Sequence, residues 1–230
     1  MKSRLTSPRS PLQHGMTLVE ILISMTIMGL ASVGVFSLMI QGLSIYKYDQ
    51  GRILVNEDIR DFTTEMTTNA VYSNYCRILP DFNTRSVTVG GVTDDAFVAD
   101  GQSGDFLVLM FCDTDSAGKM TINRIVGYYR TPADPSDVAS RGPVRRFDRT
   151  ISPAVDPAVT PIYQILNTNV PTSTANTNPV VLQLAQGLAD GNLFYNYKDQ
   201  AVMIRGQIIE EGNQRRQAVN TYNFTVAPRG

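Results

Sequence analysis

The chain has 230 residues, 20 basic and 21 acidic side chains, 43% hydrophobic and 18% charged residues, a globular composition that excludes a wholly disordered chain. Its formal net charge of −1 offers no global support for nucleic-acid binding. The one histidine, His14, and the two cysteines, Cys76 and Cys112, leave little material for catalysis or metal binding.

Residues 1–15 form a basic leader with Lys2, Arg4 and Arg9 and no acid. From Met16 to Ile40 there are 25 residues and one charge, Glu20. A helix of that length spans about 37 Å, enough to cross a hydrocarbon core of about 30 Å. The basic flank precedes the span, which predicts a cytoplasmic leader and a remainder on the outer side. A secretory signal has a short apolar core that ends at a small-residue cleavage site. Here the small residue, Gly15, precedes the apolar run. Cleavage after Gly15 would remove the leader and His14 and keep the apolar helix. From Met16 onward 17 basic residues face 21 acidic ones, formally −4, and no imidazole remains.

The order Gly15, Met16-Thr17-Leu18-Val19-Glu20, then an uninterrupted apolar run is similar to the class III signal of type IV prepilins and pseudopilins. Gly29 also stands where many members carry glycine. The resemblance implies cleavage between Gly15 and Met16 by a membrane prepilin peptidase and N-methylation of Met16. It also implies a filament-assembly role for Glu20, whose carboxylate would neutralise the Met16 amine of a neighbouring subunit. Negative charge is favoured at a helix N-terminus as well. The plainer reading is that Glu20 sits one turn from the membrane edge and reaches the headgroups; a lone carboxylate in a membrane span is more often functional. No proline lies between Pro11 and Pro80, and Ser37 occupies the place of the kinking proline of true pilins, which leans toward a pseudopilin.

Residues 41–79 read as the soluble half of the same helix. Tyr48, Val55, Ile59, Phe62, Met66 and Ala70 recur at helical steps and form one apolar stripe for packing on a sheet. Cys76 then ends the helix, ahead of Pro80. Residues 80–230 change to period two. Strands are predicted at Ser86–Val89, Asp105–Cys112, Met120–Arg130, Val144–Arg149, Leu193–Tyr197, Ala201–Glu210 and Arg215–Val226. In the last pair Val202, Ile204 and Ile208 oppose Val219, Tyr222, Phe224 and Val226. Asp94–Gly104, Thr131–Ser140 and Ile151–Pro179 read as loops, with a helical turn at Tyr163–Leu166.

This order predicts an α+β fold: a long N-terminal helix, membrane-spanning in its first half and a soluble spine in its second, packed on an antiparallel sheet. It matches the pilin fold. Gly104-Asp105 with its apolar run, then Tyr128-Tyr129-Arg130 and Val144-Arg145-Arg146, resembles the J-class minor pseudopilin of type II secretion. The K-class tip subunit usually lacks the glutamate present here. A minor type IV pilin or a competence pseudopilin is the alternative, with a surface- or DNA-binding role.

The remaining candidates are weaker. Outside the cytoplasm Cys76 and Cys112 are free to form a disulfide, or each is a small buried apolar residue; both readings stand. Asp113, Asp115 and Gly118 have a calcium-loop spacing, known in related pseudopilins, but lack the closing glutamate, so a polar turn is the better reading. Glu210 and Glu211 are adjacent on a strand and point to opposite faces. Arg141, Arg145, Arg146 and Arg149, and Arg215 with Arg216, read as solvated or acid-paired groups rather than a DNA surface. The implied partners are other pilin or pseudopilin subunits, the peptidase and an inner-membrane assembly platform. No cofactor, no nucleic acid and no enzymatic activity is expected.

Overall fold

The computed structural model describes residues 16–114, 118–210 and 218–229. The leader with Gly15, the turn residues 115–117, and 211–217 with Glu211, Arg215 and Arg216 lie outside the described residues. The chain divides into two units, one up to Tyr46 and one from Lys47 onward.

Helix α1 (Leu18–Tyr72) runs through both. In the first unit, residues 16–43 are all solvent-exposed despite their apolar character. This is the one described helix long and apolar enough to cross a membrane. In the second unit, Gly51, Val55, Phe62, Met66 and Ala70 are buried, and Tyr48 and Ile59 are half-buried. These positions carry the expected stripe.

The helix stops seven residues before the expected Leu79. The Ser73 hydroxyl donates back to the Ala70 carbonyl at 2.8 Å. Asn74 then turns its side-chain oxygen to the Cys112 amide at 2.7 Å. Tyr75–Leu79 is strand β1, not helix. The absence of proline permits a longer helix, but β1 gains two buried faces: Ile78 enters the core under α1 and Leu79 the core on the opposite side.

The other elements are β2 (Ser86–Val89), β3 (Val92–Asp95), β4 (Ser103–Gly104), β5 (Phe106–Thr114), β6 (Met120–Arg130), β7 (Gly142–Val155), α2 (Ile162–Asn169), β8 (Val180–Gly187), β9 (Phe194–Tyr197), β10 (Ala201–Glu210) and β11 (Ala218–Val226). Nine strands make one antiparallel sheet in the order β1-β5-β6-β7-β8-β10-β9-β4, with β11 also paired to β10. β2 and β3 form a separate hairpin. The α+β architecture expected of a pilin-like fold is therefore present: a long N-terminal helix packed against a large antiparallel sheet.

Several local expectations change. β3 and β4 occupy parts of the segment read as a loop at Asp94–Gly104. β7 extends past Arg149 to Val155, and α2 replaces the single turn expected within Ile151–Pro179. β8 has no counterpart among the expected strands. In the last hairpin, Val202 faces Val226, Ile204 faces Phe224 and Gly206 faces Tyr222. Val219 instead opposes Ile209, so it lies on the other face and is 47% exposed.

The central strands are covered on both sides. Leu107 and Leu109 of β5 join α1, while Phe106, Val108 and Met110 join α2 and its neighbours. Phe62 of α1 meets Tyr128, Tyr222 and Phe224 edge-on at 6.0, 6.2 and 6.0 Å between ring centres. On the other face Phe82 stacks on Tyr129 at 3.9 Å. Gly127 makes room for this second cluster: a Cβ there would meet the Phe147 ring at 2.2 Å.

Where β5 begins and β6 ends lies a buried ion pair. Asp105 is 2% exposed and Arg130 1%. Arg130 Nε and Nη2 donate to the two Asp105 carboxylate oxygens at 3.0 and 2.6 Å. Nη1 donates to the Ser140 carbonyl at 2.5 Å, and Nη2 is shared with the Val138 and Gly191 carbonyls at 2.5 and 2.7 Å. Asp105 also accepts the Leu193 amide at 2.9 Å. Burial is the largest influence on the Asp105 carboxyl and lifts it above its ordinary range, against the pull of Arg130.

A second network is half-exposed: Arg124 holds Asp148 by two bonds at 2.8 and 2.7 Å, and Arg146 bridges Asp148 and Glu65 of α1. The hydrogen bonds from Arg124 hold the Asp148 carboxyl below its ordinary range.

Two outcomes are expected. Arg130→Met alone should cost about 3–5 kcal/mol of unfolding free energy, because it strands the Asp105 carboxyl in the interior. Asp105→Leu with Arg130→Met should recover part of that loss, as read by urea denaturation of the detergent-solubilised chain. Because the Asp148 value is lowered on folding, its contribution is full above the ordinary aspartate value of about 3.9 and fades as pH falls through the lowered one. Asp148→Asn should therefore flatten the acid limb of a melting-temperature profile and leave its neutral region little changed in slope.

Candidate assembly site at the start of the long helix

The sequence Thr17-Leu18-Val19-Glu20 has the spacing of a capping box, in which a hydroxyl residue and a glutamate three positions later satisfy each other's amides. The structure forms that box. The Glu20 amide donates to Thr17 Oγ1 at 3.3 Å. In return Glu20 Oε2 accepts the Thr17 amide at 2.8 Å and the Thr17 hydroxyl at 3.0 Å. The Ile21 amide closes the first turn on the Thr17 carbonyl at 3.2 Å. Two amides that would otherwise be bare at the head of an apolar helix are thus partnered, and the carboxylate lies where the helix dipole favours it.

Both bonds from Thr17 fall on Oε2. Glu20 Oε1 has no hydrogen-bond partner among the described residues. Met16 adjoins this box and is 72% exposed. Downstream, Thr26 and Ser32 return their hydroxyls to the Leu22 and Met28 carbonyls at 2.6 and 2.8 Å. Such bonds hide polar groups within the helix and suit an apolar surrounding. The arrangement presents one carboxylate oxygen at the tip of a wholly apolar surface. It can bind a cation.

The other candidates are not part of this site. Cys76 and Cys112 are both free thiols. Cys76 pairs across the sheet with Leu109, three positions before Cys112 on β5. At about 3.3 Å per residue that offset is about 10 Å, beyond the reach of about 7 Å between the α-carbons of a disulfide. The side chains also belong to cores on opposite faces of the sheet. In this structure the two thiols are therefore not bonded to each other, and each packs into the core on its own face. Burial lifts both thiols above their ordinary range.

Of the calcium-like turn, Asp113 and Gly118 are described and Asp115 is not; Asn123 donates its side-chain amide to Asp113. No group of three or more histidine, cysteine, aspartate or glutamate side chains converges among the described residues. Glu211 and the Arg215-Arg216 pair are outside them.

Two features escaped the sequence reading. The Thr17 cap was visible in principle, since Thr-x-x-Glu before an apolar run is a helix-start signature. The Asp105–Arg130 pair carried only a faint signal, one charge at each end of two adjoining apolar strands.

The family model for the prokaryotic N-terminal methylation motif matches residues 11–36. No curated protein and no solved structure matches the chain. The matched segment contains the capping box and the first turns of the exposed apolar helix.

Alkylation offers a direct check on the thiols. The denatured chain, taken up in iodoacetamide without reductant, should gain two adducts by intact mass. Adducts appearing only after reduction would show a Cys76–Cys112 bond and a different sheet register.

Proposed function

We propose, from the type IV prepilin-like methylation motif and the membrane-anchoring helix that this chain carries, that it is a minor pseudopilin, a structural subunit of a type II secretion pseudopilus. Residues 1–15 are the leader, cut between Gly15 and Met16. Residues 16–40 are the membrane span and later the filament core. The globular remainder faces the periplasm. The chain contributes surface and no chemistry; the driving force for assembly comes from the platform it docks on.

The observation that carries this reading is the state of Glu20. Its Oε2 is committed to its own helix start, while Oε1 is open. Cleavage creates an ammonium group at Met16 that must enter an apolar filament core. A charge in such a medium is tolerated when paired. Glu20 Oε1 of one subunit takes the Met16 amine of the next, and the same carboxylate keeps its helix capped.

Two substitutions separate these roles. Glu20→Gln retains a capping side chain but loses the charge, whereas Glu20→Leu loses both. Both variants should be inserted and processed, and both should fail to enter filaments, as read by crosslinking of neighbouring subunits. Normal assembly of Glu20→Gln would remove the charge-pairing role. The pathway itself is tested by the mature N-terminus: with active prepilin peptidase the chain should begin at Met16 and be one methyl group heavier. A chain that keeps residues 1–15 under those conditions would make it a plain signal-anchored protein. Deletion should abolish secretion of exported enzymes; loss of surface pili with secretion intact would assign it to a type IV pilus instead.

A further inference from the structure

A cleft of about 590 Å³ opens where β1 and β6 end and β5 begins. Its walls come from four separate segments: the β1–β2 turn, the β6–β7 loop, the stretch between α2 and β8, and the turn before β9. Loops held on a rigid sheet are where binding residues concentrate, and the volume falls within the range of about 300–1,000 Å³ for small-molecule sites.

The Asp105–Arg130 pair is part of the lining. This pair fixes the cleft but does not charge it. Each Arg130 nitrogen already donates, to Asp105 or to the Ser140, Val138 and Gly191 carbonyls, and Asp105 balances its charge. Arg130 is also the one basic residue lining the cleft among the described residues. An anionic ligand therefore finds no available cation. A metal ion finds little more. Asp105 is paired, and Asp81 Oδ1 already accepts the Asn83 and Thr84 amides at 2.7 and 2.9 Å.

What remains is Asp81 Oδ2, an acceptor that suits a hydroxyl and repels an anion, and a set of neutral hydrogen-bonding side chains. Asn83 and Asn176 are exposed on two different segments of the lining, and Asn192 and Thr131, also in it, are half-buried. The Asn83 and Asn176 side chains offer both donors and an acceptor, the pairing that vicinal hydroxyls require, whereas Asn192 Nδ2 already donates to the Ser103 carbonyl and hydroxyl at 3.3 Å and leaves its side-chain oxygen as an acceptor. Pro80, Pro132 and Pro135 supply apolar surface between the amides. Because Arg130 anchors the loop carbonyls, the walls are ordered before any ligand arrives, which lowers the cost of binding.

We infer that this cleft binds a neutral saccharide, its hydroxyls taken by the Asn83, Asn176 and Asn192 amides and its C–H faces laid on the prolines. The site is separate from the helix N-terminus and is independent of the filament reading.

The test uses the full chain in a detergent without a sugar headgroup, titrated calorimetrically with cellotriose, chitotriose, maltotriose and xylotriose in turn. At least one should bind with millimolar or tighter affinity. Asn83→Ala with Asn176→Ala should weaken that binding about tenfold or more, the effect of losing two neutral hydrogen-bonding groups. Thr84→Trp, which fills the mouth from an exposed position, should abolish it with the melting temperature unchanged. The inference is overturned if none of the four binds, if binding survives both variants, or if only an uncharged proline-rich peptide control binds. None of these outcomes touches the processing of Gly15 and Met16, so failure here and failure of the subunit reading are distinguishable.

Discussion

A buried guanidinium and carboxylate need each other and further polar partners, and the placement of Asp105 and Arg130 organises much of the domain. Removing two such charges from solvent costs several kcal/mol per ion, so their worth is seldom net stability. Their value is in what must be in place around them. Arg130 needs carbonyls from residues 138, 140 and 191, and Asp105 needs the Leu193 amide. Segments that no regular pairing would fix are held in one arrangement, since any other leaves a buried charge without a partner. The same pair joins the start of β5 to the end of β6 through the Arg130 amide on the Asp105 carbonyl at 2.9 Å.

The long helix meets a different demand in each unit. Beyond Lys47 its apolar stripe is covered by the sheet, with Phe62 and Met66 wholly inside. Ahead of Tyr46 its apolar residues face outward on all sides, and nothing within this chain covers them among the described residues. An apolar surface of that extent requires a bilayer or other apolar helices. Within it Glu20 is the one charge, and its bonds to Thr17 show how the helix start is made compatible with such surroundings.

Legibility followed the range of the interactions. The stripe from Tyr48 to Ala70 was readable because a 3.6-residue period repeats over six turns of helix. The strands at Asp105–Cys112 and Met120–Arg130 were readable because a polar turn separates two apolar runs. β8 was not. Its Val180-Val181-Leu182-Gln183-Leu184 lacks alternation, and the reason is local: Leu184 has φ of 45° and the pairing with β7 shifts register at the neighbouring positions. A bulge of that kind erases the period-two signal. The helix end misled for another reason. Nothing local forbids a helix through Leu79; Tyr75–Leu79 became a strand because β5 was there to pair with it. Val219 was placed on the wrong face because hairpin parity is set by the turn and the register.

The sequence by itself determined the features that rest on neighbours in the chain: the uninterrupted apolar span with Glu20 near its head, the buried stripe of α1, the α+β order and the hairpin of β5 with β6. Each depends on periodicity, on a charge within one helical turn, or on a short connection. Tertiary structure alone decided which face each core residue joins, that Cys76 and Cys112 stand apart, that Asp105 and Arg130 meet, and that four segments line one cleft. Those outcomes depend on pairing between segments far apart in sequence, where the free energy comes from burial and hydrogen bonds that exist only once the sheet has closed.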